Sequence, residues 1–594
     1  MESVRRKLVI EAIGISALGM VLVSGYFYFL YPEIFENMFV GIPAGLHRGP
    51  EKGLLASFLG GDHIQVMYLG WKLKQSLLTG DFSIITDGYN FATLAKPFYD
   101  FHIGMQFQLI ALMIAITGSS TAGYVLTMLP LTGILTFLSG YYLSAQVTPS
   151  RLIRIFSGLY FVFIPYRMQQ SFGGHSGGAV MFLQCLYWAF ILKGKKDPKW
   201  APYLAGLTLL MLTISDEHQG YYAILFSGVV LPIWLIQSVS IRNWKTDIKV
   251  FLIRWTPLIV GLALTVGYGL IINAVALDPG DGISSRRTLA DVGSYSVGYQ
   301  KFFLAKSMYN IGSSVGPLVL LGIVYLAVSR QIKIQAVAHS KMLPVLICLV
   351  LGTILMGGVR DMNALDTRIY RLFFDHVPFF SYQRVPTKMF SSTSIFIMIF
   401  IASLYTRSIQ SLNSKKLRKA SIALTVTFGL AFCIQLAQMH RVLRLTGPAI
   451  VDPVYTAIPE SDRELIRNEV SENELILFAP LSKVMNRYAT KQQLIAMLTE
   501  RRYSGGYNGN APMSYLTTVS TLSSLNYNDA DRELYDQARE RGFDVVVFDL
   551  NGPTEIYDNN VVRAERFDKF FSSPKCGETL CVLRFLTNLA NEPN

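Results

Sequence analysis

Ionisable side chains are scarce in this sequence. Asp, Glu, Lys and Arg make up 16% of its 594 residues, where a soluble domain usually carries about 25%. That deficit excludes a large soluble core. No His/Cys cluster has metal-ligand spacing, and no Gly-rich phosphate loop is present. Internal repeats and low-complexity stretches are also missing, which weakens a transporter reading, since many transporters are built from repeats. Only five cysteines occur. Cys185, Cys348 and Cys433 sit in apolar segments and read as packing residues. Cys576 and Cys581 lie in the polar C-terminal region, where a disulfide becomes possible if that region faces an oxidising compartment.

What the sequence has in abundance is apolar chain. Hydrophobic residues reach 51% and are gathered into blocks, several near the roughly 20 residues that a helix needs to cross a bilayer. The blocks fall near 8–30, 121–144, 151–168, 176–193, 201–215, 221–239, 251–275, 314–329, 341–357, 388–406 and 418–439. The first follows Arg5, Arg6 and Lys7 and is too long for a signal peptide, so it is expected to remain as a helix. The net charge of +13 does not point to nucleic acid, because the Lys and Arg residues lie in short loops between apolar blocks, the positive-inside pattern.

Charge also orders the chain across the membrane. With the N-terminus in the cytoplasm, the basic loops at Arg151 and Arg154, Lys193–Lys199, Arg242–Arg254, Arg330–Lys341 and Arg407–Lys419 fall on the cytoplasmic side only if Phe101–Thr117 does not cross. That stretch is expected to lie in the interface or to dip and return. The reading gives about eleven spanning helices. It places outside the long loops 31–120, 276–313 and 358–387 and everything from about residue 447. In that tail, Leu475–Pro480, Val545–Leu550 and Cys581–Leu586 read as buried strands, and Lys491–Glu500 and Asp529–Arg541 as helices. The expected architecture is therefore a polytopic α-helical membrane domain, 1–446, followed by a small extracytoplasmic α/β domain, 447–594.

Polar residues collect at the outer ends of the blocks. The first outer loop carries Gly60-Gly61-Asp62-His63-Ile64-Gln65, a helical stretch over Val66–Leu78, then Asp87-Gly88-Tyr89-Asn90 and Pro97-Phe98-Tyr99-Asp100-Phe101-His102. Carboxylates accept sugar hydroxyls and aromatic faces stack on sugar rings; the plainer reading is that Asp87 and Asp100 cap interfacial helices. Gly174-His175 opens another helix, with His175 read as a pocket residue. Ser215-Asp216-Glu217-His218 joins two blocks almost without a linker, and acids at that depth suggest a polar cavity, although Asp216 also suits a helix cap. The loop before block 388–406 supplies Arg360, Arg368, Arg371, Arg384 and Lys388, which either meet phosphate or snorkel to lipid head groups.

Taken in order along one topology, these pieces resemble the GT-C superfamily of membrane glycosyltransferases, most of all its YfhO-like bacterial members. The likeness rests on the Gly61-Asp62…Gln65 start with its following helix, the Pro97–His102 segment, Gly174-His175, the Arg384-Val385-Pro386-Thr387-Lys388 run, and the tail "YSGGYNGNAPMSY" ahead of "RGFDVVVFDL". The tail reads Gly-Gly-Tyr where the family pattern has Asn-Gly-Tyr. The resemblance implies transfer of a hexosyl or pentosyl unit from a polyprenyl-phosphate-linked donor to an extracytoplasmic glycan, lipid, polymer or protein. Asp62 is then the general base. Arg384, Lys388 and Arg371 are assigned to the donor phosphate, and Gln65, Asp87, Asp100, His102, His175, Asp216, Glu217 and His218 to the acceptor pocket. A divalent cation, Mg or Mn, is possible and would need Asp62 or another distant ligand beside Asp216 and Glu217. A flippase for lipid-linked saccharides and a non-catalytic assembly protein on the same scaffold share this topology.

Overall fold

A computed structural model describes residues 2–30, 41–43, 61–86, 103–240, 242–276, 288–296, 343–359, 365–382, 385–411, 450–453, 458–479, 487–503, 532–550 and 571–586, apart from a few positions within these ranges, and a few near residue 35. The blocks at 314–329 and 418–439 lie outside the described residues, as does the boundary expected near 446.

Among the described residues, five helices are long and apolar enough to cross a membrane: Ile10–Phe29, Ser120–Ala145, Glu217–Ser238, Trp244–Ile271 and Pro386–Ser403. Met105–Thr117, Met181–Gly194, Ala201–Ser215 and Leu343–Gly357 are apolar but shorter. Thirteen residues of helix rise only about 20 Å against a hydrocarbon core of about 30 Å. Length alone therefore does not set Met105–Thr117 apart from the other three.

Two of the expected blocks are interrupted, one at Pro165 and the other at Val180. The 151–168 block is two helices, Arg151–Phe163 and Pro165–Phe172, parted at Pro165, which has no N–H to give. The 176–193 block is a short turn of helix, Ser176–Ala179, followed by Met181–Gly194. Within Ser120–Ala145, a π-helical turn over Thr127–Leu131 surrounds Pro130. Arg167, fully buried, bridges two of these irregularities. Its guanidinium donates to the Val162 carbonyl at 3.1 Å, to the Leu129 carbonyl at 3.2 Å and to Thr132 Oγ1 at 3.1 Å. A cation inside a helix bundle is costly unless such acceptors surround it.

Small residues let the helices approach closely. A Cβ added at Gly261 would lie 2.6 Å from Gly206 Cα, and one at Gly206 would lie 2.7 Å from the Pro257 carbonyl. Such contacts substitute for the hydrophobic drive that helices lack in lipid. At one end of the bundle, Arg151 pairs with Glu11 at 3.0 Å, and Lys195 sits 4.7 Å from the centre of the Trp234 ring. This end therefore gathers basic residues of two loops beside the first helix.

The C-terminal residues build a five-stranded sheet in the order β4-β3-β5-β7-β6. Strands β3 (Leu475–Ala479), β4 (Arg502–Tyr503) and β5 (Val545–Asp549) run parallel, and β7 (Leu580–Arg584) is antiparallel to β5 and to β6 (Lys575–Cys576). β3 and β5 are buried along their whole length, as central strands covered on both faces must be. Helices Glu460–Glu469, Arg487–Thr499 and Arg532–Glu540 accompany it. Cys576 and Cys581 face each other across β6 and β7 and are joined by a disulfide. A second, two-stranded pairing ties β1 (Gly41–Pro43) to β2 (Ile450–Pro453).

The sheet does not stand apart from the helices. Ile476, Phe478, Val545 and Val547 belong to the same apolar cluster as Ile64, Met67 and Trp71 of the Gly61–Thr79 helix and Phe107 and Ile110 of Met105–Thr117. Gly261→Ala should lower the melting temperature of the purified protein, by about 1–3 kcal/mol in stability, because the new methyl meets backbone rather than a movable side chain; differential scanning fluorimetry in detergent measures it.

Candidate active site

The polar residues singled out in the sequence gather at one end of the bundle, away from Arg151 and Lys195. Gly61–Thr79 begins there. The backbone of Asp62 occupies its first turn, while the Asp62 side chain lies outside what is described. The next residue, His63, is buried, and its Nδ1 lies 2.6 Å from the Tyr124 hydroxyl. Burial pushes His63 down to about 3, and the nearby His175 acts in the same direction; the Phe172 carbonyl works against both. The start of the Asp62 helix is thereby placed against the Phe172–His175 turn.

That turn leads directly to the acids. Gly174 adopts a φ of +76°, which glycine reaches without strain, and His175 follows it, exposed. Two residues on, a Cβ at Gly177 would lie 2.7 Å from Asp216 Oδ2, 3.3 Å from Gln219 Nε2 and 3.3 Å from the Tyr166 hydroxyl. Gln219 Nε2 donates to the Gly177 carbonyl. Asp216 is the N-cap of Glu217–Ser238, its Oδ1 accepting the Gln219 backbone N–H at 3.0 Å. One oxygen of Asp216 therefore caps the helix, and the other lies beside Gly177. Met105–Thr117 closes another side: its Met105 N–H donates to Ser215 Oγ at 2.9 Å, and Gln106 Nε2 donates to the Ser215 carbonyl at 2.8 Å.

The basic loop arrives from the opposite direction. Pro386–Met389 is a 3-10 turn running into Phe390–Ser411, and the Lys388 charge acts on Glu217. Ser391, one turn further, faces the Tyr166 hydroxyl. Tyr370 of the Leu365–His376 helix packs edge-on against Phe380 at 5.1 Å, and Tyr221 donates to the Pro378 carbonyl at 2.8 Å. An aromatic wall of Tyr221, Tyr370 and Phe380 thus flanks the acids.

The structure therefore brings His175, Asp216, Glu217, His218 and Lys388 to one end with the helix terminus that carries Asp62. Two expected residues have partners of their own. Gln65 accepts from Gln493 of the C-terminal region, and Arg371 is exposed and pairs with Asp375 at 3.4 Å. Asp87, Asp100, His102, Arg360 and Arg384 lie outside the described residues, as does most of the tail motif after Tyr503. Tyr166, Gly177, Gln219 and Ser391 escaped the sequence reading. The break at Pro165 and the Gly177-Gly178 pair are the signals that could have drawn attention to the first two. Among the described residues, no three His, Cys, Asp or Glu side chains cluster closely enough to hold a metal ion.

No protein-family model matches the chain, and no curated protein does. Solved structures do. The arabinofuranosyltransferase AftD from Mycobacteria aligns over 97% of this chain and 40% of its own, at 13% identity and a TM-score of 0.56. An Archaeoglobus fulgidus oligosaccharyltransferase tethered to an acceptor peptide aligns over 95% of this chain and 72% of its own, at 11% identity and a TM-score of 0.50. ArnT from Cupriavidus metallidurans, bound to undecaprenyl phosphate, aligns over 99% of both chains at 11% identity and a TM-score of 0.46. This chain thus spans less than half the length of AftD. The chain shares the fold of AftD and of the oligosaccharyltransferase, and the protein is an integral membrane protein.

The neutral imidazole of His63 carries a pH signature. Because its folded value is depressed, its contribution to stability is complete above the unfolded value near ~6.5 and is lost as pH falls toward about 3. Between pH 7 and 5, the melting temperature of the native chain should therefore fall more steeply than that of His63→Phe, measured by intrinsic fluorescence.

Proposed function

We propose that the chain is a glycosyltransferase that moves a sugar from a polyprenyl-phosphate-linked donor to an extracytoplasmic acceptor, a glycan, lipid, polymer or protein. The observation that carries this reading is the meeting, at one end of a GT-C fold, of the Asp62 helix terminus, the Asp216–Glu217 pair and Lys388. Acids and a cation at one membrane-proximal site suit a reaction in which a hydroxyl loses a proton while a phosphate leaves.

Asp62 serves as general base. It takes the proton of the acceptor hydroxyl, whose oxygen attacks the anomeric carbon as the bond from that carbon to the phosphate oxygen breaks. The electron pair stays on the lipid phosphate, and Lys388 with Arg384 meets the added charge. Arg371 joins them by exchanging Asp375 for phosphate; the exposed pair it makes holds it only weakly. Asp216, Glu217, His175 and His218 orient sugar hydroxyls, and the Tyr221–Tyr370–Phe380 wall offers apolar faces to the ring. No step requires a metal ion. The Cys576–Cys581 disulfide supports a C-terminal sheet on the oxidising, extracytoplasmic side, with the N-terminus in the cytoplasm.

Two experiments test the assignment. In proteoliposomes supplied with a panel of radiolabelled polyprenyl-phosphate sugars, Asp62→Asn should reduce transfer by about 10²–10⁴-fold with unchanged expression and melting. Lys388→Met should raise the donor KM by about 10-fold, the equivalent of one charge-assisted hydrogen bond. Full transfer by Asp62→Asn removes the assigned base, and donor flipping without transfer makes the protein a transporter. In intact cells, a membrane-impermeant maleimide applied after reduction should label Cys576 and Cys581; labelling only after permeabilisation reverses the topology.

A further inference from the structure

The Gly61–Thr79 helix is held from two sides. On its bundle side, His63 meets Tyr124, and Gly70 lies so close to Ile110 that an added Cβ would sit 2.3 Å from its Cγ2. On its other side lies the Arg487–Thr499 helix of the C-terminal region. Gln493, with no exposed surface, donates its amide to Gln65 Oε1. Gln75 donates to Glu500 Oε1 at 2.6 Å. The two bonds are ten residues apart on one helix, about 15 Å, so they fix its axis as well as one point on it. Leu494, Ile495 and Met497 fill the space between with the same apolar cluster as Ile64, Met67 and Trp71.

The Arg487–Thr499 helix is in turn fixed to the sheet. Lys491 Nζ and Asp549 Oδ2, both buried, pair at 2.6 Å, and Asp549 ends the central parallel strand β5. A buried ion pair tolerates little displacement, because parting it strands a charge in a medium of low polarity. The chain of contacts therefore runs from the sheet through Lys491 and Gln493 to Gln65, less than one helical turn from Asp62.

We infer that the C-terminal α/β unit is a positioning body for the Asp62 helix, with Gln493 and Gln65 as its register key. An apolar interface alone allows a helix to slide or rotate, since dispersion and burial are nearly indifferent to register. A buried amide-to-amide bond does not, because a shift leaves a donor and an acceptor unpaired at a cost that apolar contact does not return. Gln65 thus acts through the helix it sits on rather than by touching substrate. The inference rests on the reading of Asp62 as the base, since positioning matters for catalysis only if that helix carries a reacting group.

Hydrogen–deuterium exchange and steady-state transfer, both on the full-length chain in nanodiscs, test it together. Gln493→Ala should release the amides of residues 64–76 to faster exchange, by about tenfold, while the Thr132–Ala145 helix stays protected. In the same variant kcat should fall by about tenfold with donor KM unchanged. Gln65→Glu combined with Gln493→Lys, which restores a donor facing an acceptor, should return both readouts to within about threefold of the native protein. Unchanged exchange over 64–76 in Gln493→Ala overturns the inference whatever happens to transfer. Faster exchange with unaltered kcat also overturns it, and if Asp62→Asn then transfers normally, the base assignment fails with it. Loss of protection across the whole chain would show a folding defect in Gln493→Ala. The charge-exchanged pair then decides: native protection and native kcat support the key, and native protection with a lowered kcat overturns it.

Discussion

Lipid cannot solvate a polar group, and the arrangement of this protein follows from that constraint. Along the helices, hydroxyls turn back on their own backbones: Thr208 donates to the Leu204 carbonyl at 2.6 Å and Thr265 to the Gly261 carbonyl at 2.9 Å. Side-chain pairs between helices are few and specific, such as Tyr187 with Ser227 at 2.6 Å and Gln184 with Ser392. Ionisable groups are pushed to helix ends, where backbone N–H groups are free to receive them. Asp216 shows the economy of the arrangement, one oxygen capping the helix and the other turned toward Gly177 and Tyr166.

A second consequence concerns how the proposed site is built from separate parts of the chain. Asp62 begins one helix, His175 ends a turn produced by breaks at Pro165 and Gly174, Asp216 joins two helices without a loop, and Lys388 precedes a fourth. None of these positions is near another in sequence. What gathers them is that each marks the N-terminal end of its own helix, and those ends lie together. The C-terminal sheet is joined to the Asp62 helix through the Arg487–Thr499 helix.

Much of the helical framework was legible in the sequence because a bilayer enforces length and composition together. The helices at Glu2–Leu30, Ser120–Ala145, Ala201–Ser215, Glu217–Ser238 and Leu343–Gly357 fall where apolar blocks lie. The strands β3, β5 and β7 were equally visible, as short apolar runs between polar turns. The interruptions at Pro165 and Val180 were not, because hydropathy averages over a window and a single lost hydrogen bond leaves no trace in it. The partner of Gln65 was hidden for a related reason. Its position beside Asp62 suggests a substrate contact, whereas its partner is 428 residues away, a distance over which sequence pattern carries no information. Tyr166 was hidden in the same way, since an uncharged polar residue in an apolar run has no signature until its neighbours in space are known.

The guanidinium of Arg167 bears on how the chain is made. A buried guanidinium in an apolar segment weakens that segment's own partitioning into lipid unless acceptors surround it. The acceptors that satisfy it, the Leu129 carbonyl and Thr132 Oγ1, belong to the preceding helix, which leaves the ribosome first. The earlier segment thus already holds acceptors that the later one needs, one of them in the irregular turn around Pro130.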